Sequence, residues 1–413
     1  MQKLPGSYIA LDSSKPWIIY WTLHGLDLMD DLPAEETLIG IVHTLEACWK
    51  DVNGIDDSLG GGFGGGFGQL PHCATSYAAV NALSIVAGCD VEDYPEATRL
   101  ALDLLKRKRE ALLTWYVSLR YEREGDAGAG GIVCGYRMHH DGEVDVRATY
   151  CICAVASLLN ILNDELMDGM MDHVVECQTY EGGFGGEPFA EAHGGYTFCA
   201  LAALHILTKA KGMANLEESG VDYVALRDWL VNRQMGYEGG FQGRCNKLVD
   251  GCYTFWVGGA IAILGLNGTE EQFDSGVYDN DIQSDNCGGV QRLYDDASKS
   301  IMDGSDGGLL FDQKLLQRYV LLCAQDVNGG LRDKPSKSRD FYHSCYNLSG
   351  LSVSQHVLSS RPSEDGGCDA TMYEVEEKNV LGATHPVYNI RLERAKFMVA
   401  SFHCDTHSSA DKL

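Results

Sequence analysis

Glycine is clustered in this chain, and the clusters recur in a fixed relation to other residues, which restricts the fold more than any other feature. Four units carry Gly-Gly followed by an apolar anchor: Gly61-Gly62-Phe63, Gly182-Gly183-Phe184, Gly239-Gly240-Phe241 and Gly329-Gly330-Leu331. Nine positions after each anchor stand His72, His193, Asp250 and Asp340; a degenerate fifth unit, Gly135-Tyr136, has Asp145 at the same offset. Beyond each of these polar residues the sequence turns small and apolar, as over residues 196–204 and 253–261. A helix apolar nearly all round is buried on most sides. The segments between units, such as residues 226–234, are amphipathic and suit an outer helix with one wet face. Each unit therefore reads as outer helix, glycine-rich loop, inner helix.

Successive anchors are separated by 73, 48, 57 and 90 residues. Helical hairpins of this kind bury one another when stacked, and parallel inner helices can close into a two-layer ring. The expected fold is all-α, an α/α toroid of inner and outer helices, with residues 1–413 forming one domain. Segments 106–131 and 268–308 are expected to be exposed insertions, the second being rich in Asp and Ser. In such a ring the inner-helix N-termini converge on one end of a central funnel, and their dipoles favour an anion there.

Composition removes several classes. Acidic residues outnumber basic ones by 59 to 32, a net charge of −27, which would repel a nucleic-acid backbone. The longest run of apolar residues and glycine, 255–266, is too short to span a bilayer. No hydrophobic signal core follows Met1, and the 15 scattered cysteines read as reduced thiols, so a cytoplasmic protein without membrane insertion is expected. The glycine run 64–68 lacks the Lys-Ser/Thr of a phosphate-binding loop.

Chemistry concentrates in two loops. Residues 243–253 bring Arg244, Lys247, Asp250, Cys252 and Tyr253 together, and residues 331–343 bring Asp333, Lys334, Lys337, Asp340 and His343. If these units neighbour each other around the ring, Asp250, Cys252 and His343 meet. Asp, Cys and His suit zinc, and three protein ligands leave a fourth position for substrate. With His193 and Tyr253, the cations Arg244 and Lys247 form a donor set of the type that binds diphosphate. Lys334 and Lys337 repeat the two cation offsets, although solvated charge is an equal reading of them. Asp145 and Asp340 read at least as well as helix caps. For His193 that reading is weaker, because His is not a preferred cap. Tyr150, Tyr196, Trp256 and Tyr346 on inner helices suit either plain core or the wall of a pocket for a long apolar ligand.

At this point the sequence resembles the beta subunits of protein farnesyltransferase. The resemblance is carried by residues 142–147 (Gly-Glu-Val-Asp-Val-Arg), 191–198 (Glu-Ala-His-Gly-Gly-Tyr-Thr-Phe), 239–256 and 333–351, with 11–21 and 384–390 near the two ends. It covers most of the chain. It implies an α/α toroid that works as a heterodimer with a farnesyltransferase alpha subunit. It further implies transfer of farnesyl from farnesyl diphosphate to the cysteine of Cys-a-a-X protein substrates such as small GTPases. By resemblance, Asp250, Cys252 and His343 bind Zn2+ and activate the substrate thiolate, and Asp333 matches a residue associated with Mg2+. His193, Arg244, Lys247 and Tyr253 would hold the diphosphate. Arg147, Tyr150, Gly195, Tyr196, Cys199, Trp256 and Tyr346 would line the isoprenoid site. Trp17, Trp21, Arg147 and Tyr342 would contact the peptide.

Bulky Trp17 and acidic Asp333 favour farnesyl over geranylgeranyl, since the related geranylgeranyl enzymes carry smaller residues and a Lys at these places. A geranylgeranyltransferase beta subunit is the nearest alternative. A noncatalytic toroidal subunit is the alternative from another class. Terpene cyclisation on a similar toroid is disfavoured because no Asp-x-Asp-Asp motif occurs.

Overall fold

The computed structural model describes residues 6–53, 58–124, 132–267, 309–362, 368–372 and 379–403. The anchor of each unit pairs, antiparallel, with a residue just after the preceding outer element: Trp49 with Phe63, Arg120 with Tyr136, Gln178 with Phe184, Gln234 with Phe241 and Gln325 with Leu331. In the first two units this pairing lengthens into hairpins, β1 (Trp49–Asn53) with β2 (Ser58–Phe63) and β3 (Arg120–Glu124) with β4 (Ile132–Tyr136).

Among the described residues, six inner helices follow in order: α1 (Lys15–Leu28), α3 (Cys73–Ala87), α5 (Val146–Leu158), α8 (Gly194–Ala210), α10 (Tyr253–Asn267) and α12 (Phe341–Gln355). Each packs on the next, and α12 packs back on α1, so the ring closes as the repeat arithmetic implies. The helix α1 has no Gly-Gly anchor before it, which is why the glycine pattern does not reveal it. The outer layer contains α2 (Glu35–Glu46), α4 (Pro95–Ser118), the short α6 (Asp164–Met167) and α7 (Met170–Glu176), α9 (Tyr223–Val231) and α11 (Gln313–Tyr319).

One backbone hydrogen bond repeats at five of the six junctions and sets the helices parallel. The first N–H of an inner helix donates to a carbonyl in the next unit's loop. The pairs are Lys15 to Gly65 at 2.9 Å, Cys73 to Met138 at 2.8 Å, Val146 to Gly186 at 3.0 Å, Gly194 to Gly243 at 2.8 Å, and Gly251 of the α10 start to Asp333 at 2.7 Å. Each acceptor lies two residues after its anchor. These bonds satisfy N–H groups that a helix start leaves orphaned, and they fix neighbouring N-termini side by side.

The glycine pairs have a packing reason. Gly182 has φ +101, and a Cβ there would collide with the Ala225 carbonyl of α9. A Cβ on Gly183 would come within 2.7 Å of the Trp229 ring. The glycines thus let an outer-helix aromatic lie directly on the loop.

The far end of the ring is closed by a strap between β7 (Thr384–His385) and β8 (Ile390–Arg391), followed by α13 (Leu392–His403). Tyr20 Oη donates to the Asn389 carbonyl at 2.5 Å, Tyr77 Oη to that of Tyr388 at 2.9 Å, and Tyr150 Oη to that of Val387 at 2.8 Å. Buried Asp27 at the end of α1 receives Arg394, Nη2 to Oδ1 at 2.7 Å. A hairpin of β5 (His356–Pro362) and β6 (Cys368–Met372) follows α12.

The structure corrects one expectation about the chain. Residues 106–118 continue α4, with Leu112, Trp115 and Tyr116 fully buried, so this stretch is outer layer and not an exposed insertion. Its charged residues are the wet face of a long amphipathic helix. The extra length between the first two anchors comes from α4 and the β3–β4 hairpin; residues 125–131, like 268–308, lie outside the described residues.

Candidate active site

The mouth of the funnel is where the inner helices begin. Asp250 Oδ1 accepts the Cys252 N–H at 2.9 Å, capping the start of α10, and Asp340 Oδ1 accepts the His343 N–H at 2.7 Å, capping α12. The ring places α10 against α12, which carries Asp250, Cys252 and His343 to one point. A ligand atom from each lies within 4.8 Å of the other two, and this is a group able to hold a metal ion. His343 Nε2 is 3.2 Å from Asp250 Oδ1, and His343 Nδ1 is 2.7 Å from Asp340 Oδ2. The second contact fixes the ring so that Nε2 faces the other two ligands.

Electrostatics favour a cation there. Burial, reinforced by the Asp250 carboxylate, pushes the Cys252 thiol well above its ordinary range. Burial alone would lower His343, but hydrogen bonds to Asp250 and Asp340 override it and raise the imidazole to about 9. Burial likewise works against ionised Asp250, yet His343 and the Cys252 N–H bring its carboxyl down to about 2. A protonated His343 therefore occupies, by charge, the place that a metal ion would take. The donor set of one thiol, one imidazole and one carboxylate fits zinc.

Next to this cluster, His193 Nδ1 accepts the Gly195 N–H at 3.0 Å, so His193 is the cap of α8 after all. An imidazole has two nitrogens, and capping uses only one of them. With Nδ1 as acceptor, the neutral ring carries its proton on Nε2, 3.0 Å from Tyr253 Oη. Tyr253 then accepts from His193, and its own O–H is a donor toward the bowl. Burial, then the Arg244 charge, lowers His193 and keeps it neutral. Arg244 is held beside it by Glu191, Nη1 to Oε2 at 2.7 Å.

Other expected anion ligands are less engaged. Lys247 is exposed on its loop, as is Lys337, and Lys334 pairs with the neighbouring Asp333 carboxylate. Asp333 is half-buried, and its backbone carbonyl makes the junction with Gly251.

Below the mouth runs a closed belt of aromatic rings with at least one from every inner helix. Trp17 stacks on Trp21 at 5.3 Å between centroids, Trp21 meets Tyr342 at 5.5 Å, and Tyr342 meets Tyr346 at 4.8 Å. Tyr346 to Trp256 is 4.4 Å, Trp256 to Phe198 5.2 Å, and Phe198 to Tyr150 5.4 Å. Tyr150 to Tyr77 at 5.3 Å and Tyr77 to Trp17 at 5.9 Å close the circuit. Trp256 Nε1 donates to Tyr342 Oη at 3.0 Å, tying the belt to the residue beside His343. Cys199 is buried on α8, and Tyr196 lies under the Arg147 guanidinium at 5.6 Å. Arg147 is itself bound to Asp145 and Glu143.

Sequence reasoning missed three of these residues. Tyr77 and Phe198 complete the belt; their places one helix-turn into α3 and α8 are the available signal. Asp340 orients His343 as well as capping, a role signalled by an acid three residues before a ligand on a helix start.

A family model, the prenyltransferase alpha-alpha toroid domain, matches residues 1–390. The chain is 38% identical to the protein farnesyltransferase subunit beta of Pisum sativum, over 92% of this chain and 87% of that one. It is 39% identical to that of Arabidopsis thaliana, over 86% and 71%. Beta subunits of type-1 and type-2 geranylgeranyl transferases, from Arabidopsis thaliana and Saccharomyces cerevisiae, match at 29% and 28%. Among solved structures, Candida albicans protein geranylgeranyltransferase-I complexed with GGPP has the same fold, with a TM-score of 0.62 at 21% identity over 97% of this chain and 94% of that one. Fold and family model together define a prenyltransferase toroid. Within that class, this chain belongs to the protein farnesyltransferase beta-subunit family.

Proposed function

We propose that this chain, paired with a farnesyltransferase alpha subunit, transfers farnesyl from farnesyl diphosphate to the thiol of Cys-a-a-X protein substrates. The observation that carries the reading is the convergence of Asp250, Cys252 and His343 beside the His193–Tyr253 pair, at the mouth of an aromatic belt. Family membership supports it, and so does the greater distance to geranylgeranyl transferase subunits. Residues 1–413 act as one toroidal domain in this reading, in a reducing compartment such as the cytoplasm. The free thiols of the inner helices support that placement.

Asp250, Cys252 and His343 would hold Zn2+. Bound there, zinc keeps a substrate thiol deprotonated near neutral pH and presents it as the nucleophile. Asp340 holds the His343 ring, and Asp250 and Cys252 are set by the α10 cap. The thiolate attacks C1 of the farnesyl chain, the C1–S bond forms, and the C1–O bond breaks with the electron pair leaving on diphosphate. Tyr253 O–H and Arg244 stabilise that developing charge, His193 orients Tyr253, and Lys247 adds an exposed cation at the rim. Asp333 would serve Mg2+ only after releasing Lys334. The belt residues Tyr150, Trp256 and Tyr346, with Gly195, Tyr196, Cys199 and Arg147, would hold the isoprenoid. Trp17, Trp21, Arg147 and Tyr342 would meet the peptide.

The test is competition. The co-expressed heterodimer is offered farnesyl and geranylgeranyl diphosphate together with a Cys-a-a-X peptide, and products are separated by mass. Farnesyl transfer should dominate, and Trp17→Ala, which opens the belt, should shift product toward geranylgeranyl. Dominant geranylgeranyl transfer by the unaltered protein would sink the specificity assignment.

A further inference from the structure

The strap that floors the aromatic belt has a second face. Its carbonyls at Val387 and Tyr388 receive the Tyr150 and Tyr77 hydroxyls, while the same two residues also line a separate cavity of about 300 Å³ at the sealed end of the ring. Leu162 and Ile206 give this cavity an apolar side. His205, Lys209, His385 and His403 give it a polar one. Among the described residues, none of the twelve lining it is acidic, in a chain with 59 Asp and Glu.

Two of the imidazoles are oriented by hydrogen bonds within the protein. His385 Nδ1 accepts the Val387 N–H at 3.3 Å, which leaves the proton of the neutral ring on Nε2. His403 Nε2 donates to the Ser157 carbonyl at 2.8 Å, which anchors that ring at the rim. Lys209 is exposed at the end of α8 and brings a full charge. Burial, reinforced by His205 and by Lys396 from α13, holds His385 down at about 3, so its ring is neutral.

We propose that this cavity binds a small anion carrying a short apolar group, its head among His385, His205 and Lys209 and its tail against Leu162 and Ile206. A concave, partly apolar site with a few converging donors is the usual form of a small-molecule site, and 300 Å³ lies at the small end of that range. A carboxylate and a monophosphate share the required chemistry. The site is remote from the zinc cluster and does not depend on the transfer reaction.

The full chain, purified with its co-expressed alpha subunit, is titrated by calorimetry with butyl phosphate and, separately, with hexanoate. One or both should bind, and the responding probe identifies the head group. Affinity should fall at least ~10-fold in Lys209→Glu, an exposed position where the fold tolerates the change, and in Ile206→Trp, which fills the cavity. It should be unchanged in Arg244→Ala at the mouth. Failure of both probes to bind overturns the proposal. So does binding that ignores Lys209→Glu and Ile206→Trp, or binding lost with Arg244→Ala. Because binding is read directly, a sample inactive in transfer still decides the question.

Discussion

His343 lies between two carboxylates, with Nδ1 2.7 Å from Oδ2 of Asp340 and Nε2 3.2 Å from Oδ1 of Asp250. The first contact fixes the tautomer and the ring plane, and so leaves Nε2 to act as a ligand. A carboxylate behind a ligating histidine raises its basicity and holds its orientation. Asp340→Asn keeps a helix cap, because Asn caps as well as Asp. Zinc affinity should nevertheless weaken roughly 10- to 100-fold, measured by competition with a chromogenic chelator. An unchanged affinity would reduce Asp340 to a cap.

The same contacts make the metal-free protein sensitive to pH. His343 is raised to about 9 from an ordinary 6.5, so the stabilisation from its protonated form is complete below about pH 6.5. It is lost as pH rises from there through 9. The melting temperature of metal-free protein should decline over that window, and His343→Asn should remove this part of the decline. Because binding displaces the protons of both His343 and the Cys252 thiol, zinc affinity should climb with pH through 9 and beyond. A melting temperature that is flat over that window, or a decline that survives His343→Asn, would show that the two carboxylates do not hold the proton.

Tyr253 is placed as a donor only because His193 donates to it. Tyr253→Phe should lower kcat roughly tenfold or more with little change in melting temperature, since a donor to developing charge is lost while the ring remains. His193→Gln should have a smaller effect, because Gln can still donate to the phenol oxygen. Single-turnover transfer distinguishes this from slower product release.

Gly183 lies under the ring of Trp229, with 2.7 Å available for a Cβ. Gly183→Ala should cost about 1–3 kcal/mol of stability in urea unfolding of the heterodimer, as overpacking of a tight site does. Gly68, with nothing within 4 Å of a Cβ, is the control for crowding, and its φ of +73 means that Ala there adds backbone strain alone.

The toroid was legible because the repeat is written in glycines whose function is local: three of the four Gly-Gly pairs give room to an aromatic from the outer helix that follows, Trp115 over Gly62, Trp229 over Gly183 and Tyr319 over Gly240. What could not be read was α1, whose unit carries no anchor, and α4, whose charged face over residues 106–110 resembles an insertion until Trp115 and Tyr116 are seen buried. The convergence of Asp250, Cys252 and His343 was legible by offset from the anchors. The orienting role of Asp340 was not, since a helix cap and a second carboxylate partner use different oxygens of one side chain. The aromatic belt was half legible: Tyr77 and Phe198 look like core until the ring closes through all six inner helices.

The most direct test of the account replaces the metal with a spectroscopic reporter. The heterodimer is stripped, reconstituted with Co2+ and followed by its thiolate-to-cobalt absorption. One ion per heterodimer is expected, with a charge-transfer band that is lost in Cys252→Ala and grows when a Cys-a-a-X peptide supplies a second thiolate. A protein that takes up no ion, or a band that survives Cys252→Ala and ignores the peptide, would contradict the assignment of Asp250, Cys252 and His343 as the centre that activates the substrate thiol.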